Sequence, residues 1–282
     1  VSSDIHPLYG DCTEVAYLDD GHVLSVNSSG ILSPQDYTPP EFEIFEGTYN
    51  EQNPGQFEHL MLKEIFDQPI AISNVLGGRI SADGVNAELG GINLEPEQIK
   101  NLDRVNIVAC GSAYFASQIG AEYVRNASKI NVEVFRASEF PSSRACGQNT
   151  LTIGVSQSGE TKDTLDALQL AKDSGGHIAS FCNVIGSTMA RFTGNGCYLH
   201  AGPEFAVAST KAFTSMIAVF SLFGLTLSED DSEKMKLVSE LRKLPNRITN
   251  QLENNHSNLD KAVEILSSSS SAIFIGRGTS SI

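Results

Sequence analysis

The chain has 282 residues, 40% hydrophobic and 19% charged, a globular balance that can bury one large core or two modest ones. Nineteen Lys and Arg against 34 Asp and Glu leave a formal charge of −15. That argues against nucleic acid or an anionic membrane as partner, since both need clustered cations, but leaves room for a small anion held by backbone N–H groups.

No apolar run reaches the ~18–20 residues of a membrane span, and Val1-Ser2-Ser3-Asp4-Ile5-His6 is not a signal peptide. The first residue is not Met, so the start reads as missing. Cys12, Cys110, Cys146, Cys182 and Cys197 show no Cys-x-x-Cys spacing. Reduced thiols in a cytoplasmic protein are expected, with no metal site and no cofactor.

Glu14 to Leu18 and His22 to Val26 flank Asp19-Asp20-Gly21 and predict a hairpin. A second turn, Asn27-Ser28-Ser29-Gly30, precedes Ile31-Leu32. Ser33 to Gly55, rich in Pro, Glu, Asn and Gln, reads as an extended linker. Phe57, Leu60, Met61, Ile65 and Phe66 fall at helical spacing, and Pro69 is expected to end that helix.

From about Leu102 a strand, turn, helix pattern repeats. Predicted strands cover 105–109, 132–135, 151–155, 177–182 and 197–200. Helices are expected from Gly111 to about Asn126, Glu160 to Lys172, near Ser187, and Ser209 to about Leu225. This alternation predicts an α/β fold, a doubly wound parallel five-stranded sheet flanked by helices and preceded by a short β-rich segment. Glu233 to about Leu266 is amphipathic helix with an expected break near Pro245. Ala272 to Ser281 repeats the logic of Ile107 to Tyr114: an apolar strand, a glycine-bearing turn, then hydroxyl residues. It reads as the opening of a second α/β unit. The predicted organisation is therefore a β-rich remnant at 1–33, linker and helix at 34–80, the α/β domain at 81–228, connecting helices at 229–270, and the first strand and turn of a truncated second unit at 271–282.

The strongest chemical signal is Ser156-Gln157-Ser158-Gly159-Glu160-Thr161, at the carboxyl end of the third strand and the start of a helix. Open α/β sheets bind ligands there, and a helix N-terminus favours an anion such as phosphate. The plain alternative makes Ser158 an N-cap, but one cap does not need Ser156, Ser158 and Thr161 together. Ser112 and Ser209 have the same placement and read equally as caps or ligand contacts. Lys211 reads as a solvated or ion-paired lysine rather than a Schiff base. Gly154-Val155-Ser156-Gln157-Ser158 mimics a nucleophile elbow, but His177 and His200 sit where buried strands start or end, and none of His177, His200 and His256 lies in a glycine-rich loop after a final strand.

Ser156 to Thr161 followed by Asp163-Thr164-Leu165, with Ala208-Ser209-Thr210-Lys211-Ala212-Phe213-Thr214 downstream, closely resembles the sugar isomerase (SIS) domain of the glutamine:fructose-6-phosphate aminotransferases. Cys110-Gly111-Ser112 resembles the family's C-G-T-S turn, and Met61-Leu62-Lys63-Glu64-Ile65-Phe66-Asp67-Gln68-Pro69 its M-L-K-E-I helix. Residues 1–32 are similar to the end of its glutaminase domain, and Gly276-Arg277-Gly278 to the opening of its second SIS domain. The resemblance implies that Ser112, Ala113, Ser156, Gln157, Ser158 and Thr161 contact a phosphorylated hexose, fructose 6-phosphate or glucosamine 6-phosphate, with Ser209 nearby. Ala113 stands where the family often has Ser, which removes one hydroxyl. The resemblance also implies a homodimer formed through SIS domains. The family's cysteine nucleophile, Schiff-base lysine and proton-transferring glutamate and histidine belong to segments outside this sequence, so no catalytic residue is expected here. The competing reading is a non-catalytic phosphosugar-binding or regulatory SIS module.

Overall fold

A computed structural model gives the fold and describes Leu8 and residues 12–18, 23–28, 30–32, 41–44, 53–128, 130–145, 147–254 and 256–282. The chain divides into two compact units, Val1–Leu60 and Met61–Ile282.

In the first unit β1 (Glu14–Val15) pairs antiparallel with a later strand, and β2 (Ser25–Asn27) pairs with β3 (Gly30–Leu32), Asn27 opposite Gly30. The partner of β1 is β4 (Glu43–Ile44), inside the stretch read as linker. The hairpin expected across residues 19–21 is thus replaced, although that turn itself lies outside the described residues. Two-residue strands make too few cross-strand pairs to fix a partner locally, and residues 25–27 pair with β3 instead.

The second unit starts one residue into α1 (Leu60–Leu76), and Pro69 lies inside that helix rather than at its end. A proline removes the hydrogen bond to the carbonyl four residues back. That carbonyl is Ile65 O, and the Gln68 side chain donates to it through Nε2 at 2.9 Å. Burial of Ala71, Ile72 and Val75 beyond the proline then carries the helix on.

After α2 (Pro96–Lys100) come β5 (Arg104–Ala109), α3 (Gly111–Ala127), β6 (Asn131–Arg136), α4 (Ser142–Ala145), β7 (Thr150–Ser156), α5 (Lys162–Asp173), β8 (His177–Cys182), α6 (Thr188–Thr193), β9 (Gly196–Tyr198) and α7 (Lys211–Leu227). The sheet order is β6-β5-β7-β8-β9, every pair parallel, as the alternation predicted. All seven residues of β7 are buried. α3 and α7 cover one face, where Phe181 meets Phe220 and Phe223 edge-on at 5.0 and 5.9 Å. α5 covers the other, with Leu168 and Met189 packed near Val108. Gly91 shields the edge of β9 by accepting the Gly196 N–H at 2.7 Å.

α8 (Asp231–Asn254) runs through Pro245 without the expected break, and α9 (His256–Ser267) follows. Buried Val238 and Leu241, and a Lys234 Nζ bond to Asn86 Oδ1 at 2.9 Å, anchor the half before the proline. One missing backbone bond does not end a helix so anchored. Residues 272–275 form no strand: Ile273, Phe274 and Ile275 are 90%, 88% and 93% exposed. A strand needs a partner, and no described residue pairs with them.

Where α3 crosses α7, a methyl group at Gly120 would collide with the Phe220 ring. Gly120→Ala should lower stability by about 1–3 kcal/mol, the usual cost of overpacking. Urea unfolding checks this, and an unchanged midpoint would mean that this crossing is loose.

Candidate functional site

The chain leaves β5 for β6 on one side and later enters β7 on the other, so the strand order reverses between β5 and β7. The loops after those strands diverge and leave a crevice at the carboxyl ends. Ala109 lies opposite Val155, which sets Cys110-Gly111-Ser112 beside the loop that starts at Ser156. Gly111, at φ +55°, turns the chain into α3 with Ser112 exposed and Ala113 buried. Cys110 Sγ lies 4.0 Å from Asp163 Oδ2 across the crevice.

The three hydroxyls of the β7 loop converge. Ser156 Oγ is 2.9 Å from Thr161 Oγ1 and 3.5 Å from Ser158 Oγ. It also accepts the Gly159 N–H at 3.0 Å, while Ser158 Oγ accepts the Glu160 N–H at 3.2 Å. Gly159 has φ +68°, and a side chain there would collide with Ser187, so both conformation and space require glycine. Ser156 is buried, whereas Gln157, Ser158 and Thr161 are half-buried at the rim. Ser158 is not the N-cap of α5; that position is Thr161, and it makes no side-chain cap bond. Cys110 makes none at α3 either.

Neighbouring helices differ. At α6, Ser187 Oγ accepts the Ala190 N–H at 3.4 Å and Glu160 Oε1 accepts the Thr188 N–H at 2.8 Å. At α7, Glu204 Oε1 accepts the Thr210 and Ala212 N–H groups at 2.7 and 3.2 Å. α6 and α7 therefore carry their own carboxylates at their positive ends. α3 and α5, which begin at the crevice, have no side-chain cap bond; α5 carries Asp163 in its first turn and α3 carries no acid there.

Ser209 sits at the start of α7, away from the β7 loop in sequence, and its Oγ donates to Glu204 Oε2 at 3.0 Å. Lys211 is 5% exposed and ion-paired, its Nζ 3.1 Å from Asp67 Oδ2. Glu64, 2% exposed, accepts the Phe205 and Ala206 N–H groups at 2.6 and 3.2 Å. Sequence reasoning missed the roles of Glu64, Asp67, Glu160 and Glu204. A signal for two of them was present: Glu64 and Asp67 are acids three residues apart on α1.

Residues 98–226 match the model of the SIS domain. A glutamine–fructose-6-phosphate aminotransferase (isomerizing) from Bacteroides thetaiotaomicron is 36% identical, aligned over 99% of this chain and 47% of that protein. Its counterpart from Chlorobaculum tepidum is also 36% identical, over 99% of this chain and 46% of its own. The solved C-terminal domain of glucosamine-fructose-6-phosphate aminotransferase from Francisella tularensis superposes with a TM-score of 0.73 at 31% identity, covering 80% of this chain and 64% of that one. The chain thus contains a SIS domain and is similar to these aminotransferases over most of its own length. It spans about half the length of the curated relatives it matches. Among its described residues no helix is long and apolar enough to cross a membrane.

Three titratable groups of the SIS domain have shifted pKa values. His200 follows β9 at φ +51°, and burial together with the nearby Arg79 charge lowers its pKa. Burial raises the Cys182 thiol and pushes Cys197 up to about 11. No described His, Cys, Asp and Glu form a group of three that could hold a metal.

A thiol raised in the fold stays protonated, and the thiolate is the nucleophile. Of the four described cysteines, exposed Cys12 should react first with iodoacetamide at about pH 8, then half-buried Cys110, while Cys182 and Cys197 stay unlabelled until urea is added. The same shift ties stability to pH. The contribution of Cys197 is complete below the ordinary thiol pKa and is lost as pH rises toward 11. Peptide mass mapping reads the order; early labelling of Cys197 would contradict its burial.

Proposed function

We propose that the SIS domain binds the phosphate of a hexose phosphate, fructose 6-phosphate or glucosamine 6-phosphate, in the crevice between β5 and β7. The chain is then part of a glutamine-dependent aminotransferase and isomerase that makes glucosamine 6-phosphate, a cytoplasmic enzyme that dimerises through SIS domains. One observation carries the reading. Three hydroxyls converge where α5 begins without a side-chain cap, beside α3, which also lacks one. Names of the aminotransferase relatives supply the sugar.

In this reading Ser156, Ser158 and Thr161 donate hydroxyl hydrogen bonds to the phosphate, and Gln157 and Ser112 line its sides. Ala113 is buried, so it contributes backbone rather than side chain. Ser209 orders its loop through Glu204. The two helix dipoles supply the positive potential, which suits a chain of net charge −15. The chain's own residues thus anchor and orient the sugar phosphate. A regulatory SIS module would share the crevice, but Glu64 and Asp67 of α1, engaged with Phe205, Ala206 and Lys211, favour the aminotransferase.

Calorimetric titration of fructose 6-phosphate into variants tests the cradle. Hydrogen bonds to a charged group contribute about 1.5–3 kcal/mol, so Ser158→Ala or Thr161→Ala should weaken binding roughly tenfold to a hundredfold. Lys162 is exposed and paired with Asp166 at 2.8 Å, so Lys162→Ala should cost less than about fivefold. Loss of binding in Lys162→Ala with both hydroxyl variants intact would sink the reading.

A further inference from the structure

We propose that Asn183 is a positioning residue that fastens the β7 phosphate cradle to the loop after β9, so that both stand ready around one ligand. It rests on the reading that the crevice binds a sugar phosphate.

Asn183 is the first residue after β8, one strand over from the cradle, where Ser156 lies opposite Cys182. Its backbone N–H donates to Gln157 O at 3.1 Å. Its side chain faces the other way. Oδ1 accepts the Ala201 N–H at 2.9 Å, and Nδ2 donates to Gly202 O at 2.7 Å. One carboxamide thus satisfies both backbone groups of a segment that has left the sheet. Only an amide of this length offers that donor and acceptor together at this reach.

Two residues on, Glu204 gathers Ser209 Oγ and the Thr210 and Ala212 N–H groups. A continuous series of bonds therefore runs from Gln157 through Asn183, Ala201 and Gly202 to the start of α7. The tip of this loop, Val207 and Ala208, is exposed. A phosphate alone fits the cradle. A hexose reaches beyond it, and the loop that Asn183 holds is one hydrogen-bonded residue from the cradle backbone.

Removing the side chain leaves the backbone bond to Gln157 intact and releases the 201–202 segment. The two ends of the ligand should then respond differently, a split that general loss of stability would not produce. For Asn183→Ala, inorganic phosphate should bind as it does to the unmodified chain, while fructose 6-phosphate should weaken about tenfold, the loss expected for about 1.4 kcal/mol. Amide exchange should show Ala201 unprotected. Asn183→Asp keeps the acceptor for Ala201 N–H but sets an oxygen against Gly202 O. It should retain Ala201 protection yet still weaken fructose 6-phosphate, and it carries the comparison if Asn183→Ala does not fold. NMR titration of the full chain with each ligand gives the ratio. Parallel loss of both ligands, or no change in either, overturns the role of Asn183 while the crevice reading stands. An unmodified chain that binds neither phosphate nor fructose 6-phosphate at millimolar concentration overturns the crevice reading and this one with it.

Discussion

β7 is buried along its whole length between β5 and β8, and the proposed site depends on that burial. A strand so enclosed cannot shift its register without turning apolar side chains out of the core. Its last residue, Ser156, is therefore fixed, and the loop that follows starts from a set point. Gly159 then lets the loop press against Ser187, and Met189 N–H donates to Gly159 O at 2.9 Å. The cradle is shaped by the sheet on one side and α6 on the other, before any ligand arrives.

The acidic balance of the chain looks unfavourable for an anion until the acids near the site are followed to their partners. Glu160, Glu204 and Glu64 all face backbone N–H groups of this chain. Each neutralises part of its own charge at a helix start or loop, which removes both an electrostatic penalty and a competing anion site. What stays uncapped is the pair of helices at the crevice. In the proposed reading, selectivity of position comes from which N-termini are already filled.

The five parallel strands were legible because each is a short apolar run between turn residues, and a sheet buried on both faces demands that pattern. The hydroxyl cluster was legible because Ser156, Ser158 and Thr161 fall within six residues of sequence. Other features were not. Pro69 and Pro245 look like helix ends in isolation; Gln68 compensates for the first through a side-chain bond that periodicity does not show. Glu64 meets Phe205 across 141 residues of sequence, and Asn183 acts through one carboxamide on backbone groups 18 and 19 residues away. Neither set of partners can be read from the local sequence. Residues 272–275 have strand composition, but composition supplies only half of a strand pair.

The loops after β7, β8 and β9 are stitched together by the backbone itself. Asn183 N–H reaches Gln157 O at 3.1 Å, and Leu199 N–H reaches Cys182 O at 2.9 Å, each extending the sheet's hydrogen bonding past the last paired residues. Asn183 and Glu160 then add side-chain bonds across the same gaps. Loops ordered this way lose little further freedom when a ligand binds, and the entropy lost in ordering a flexible loop strongly opposes association. No comparable backbone stitch joins the described residues after β5 to those after β7; a weak Cys110–Asp163 contact at 4.0 Å spans the gap instead. Strand order reverses there, so the chain leaves in opposite directions and the ladder cannot continue. The topology that holds three loops rigid is thus the same topology that leaves one gap open, and the hydroxyls of Ser156, Ser158 and Thr161 stand at its edge.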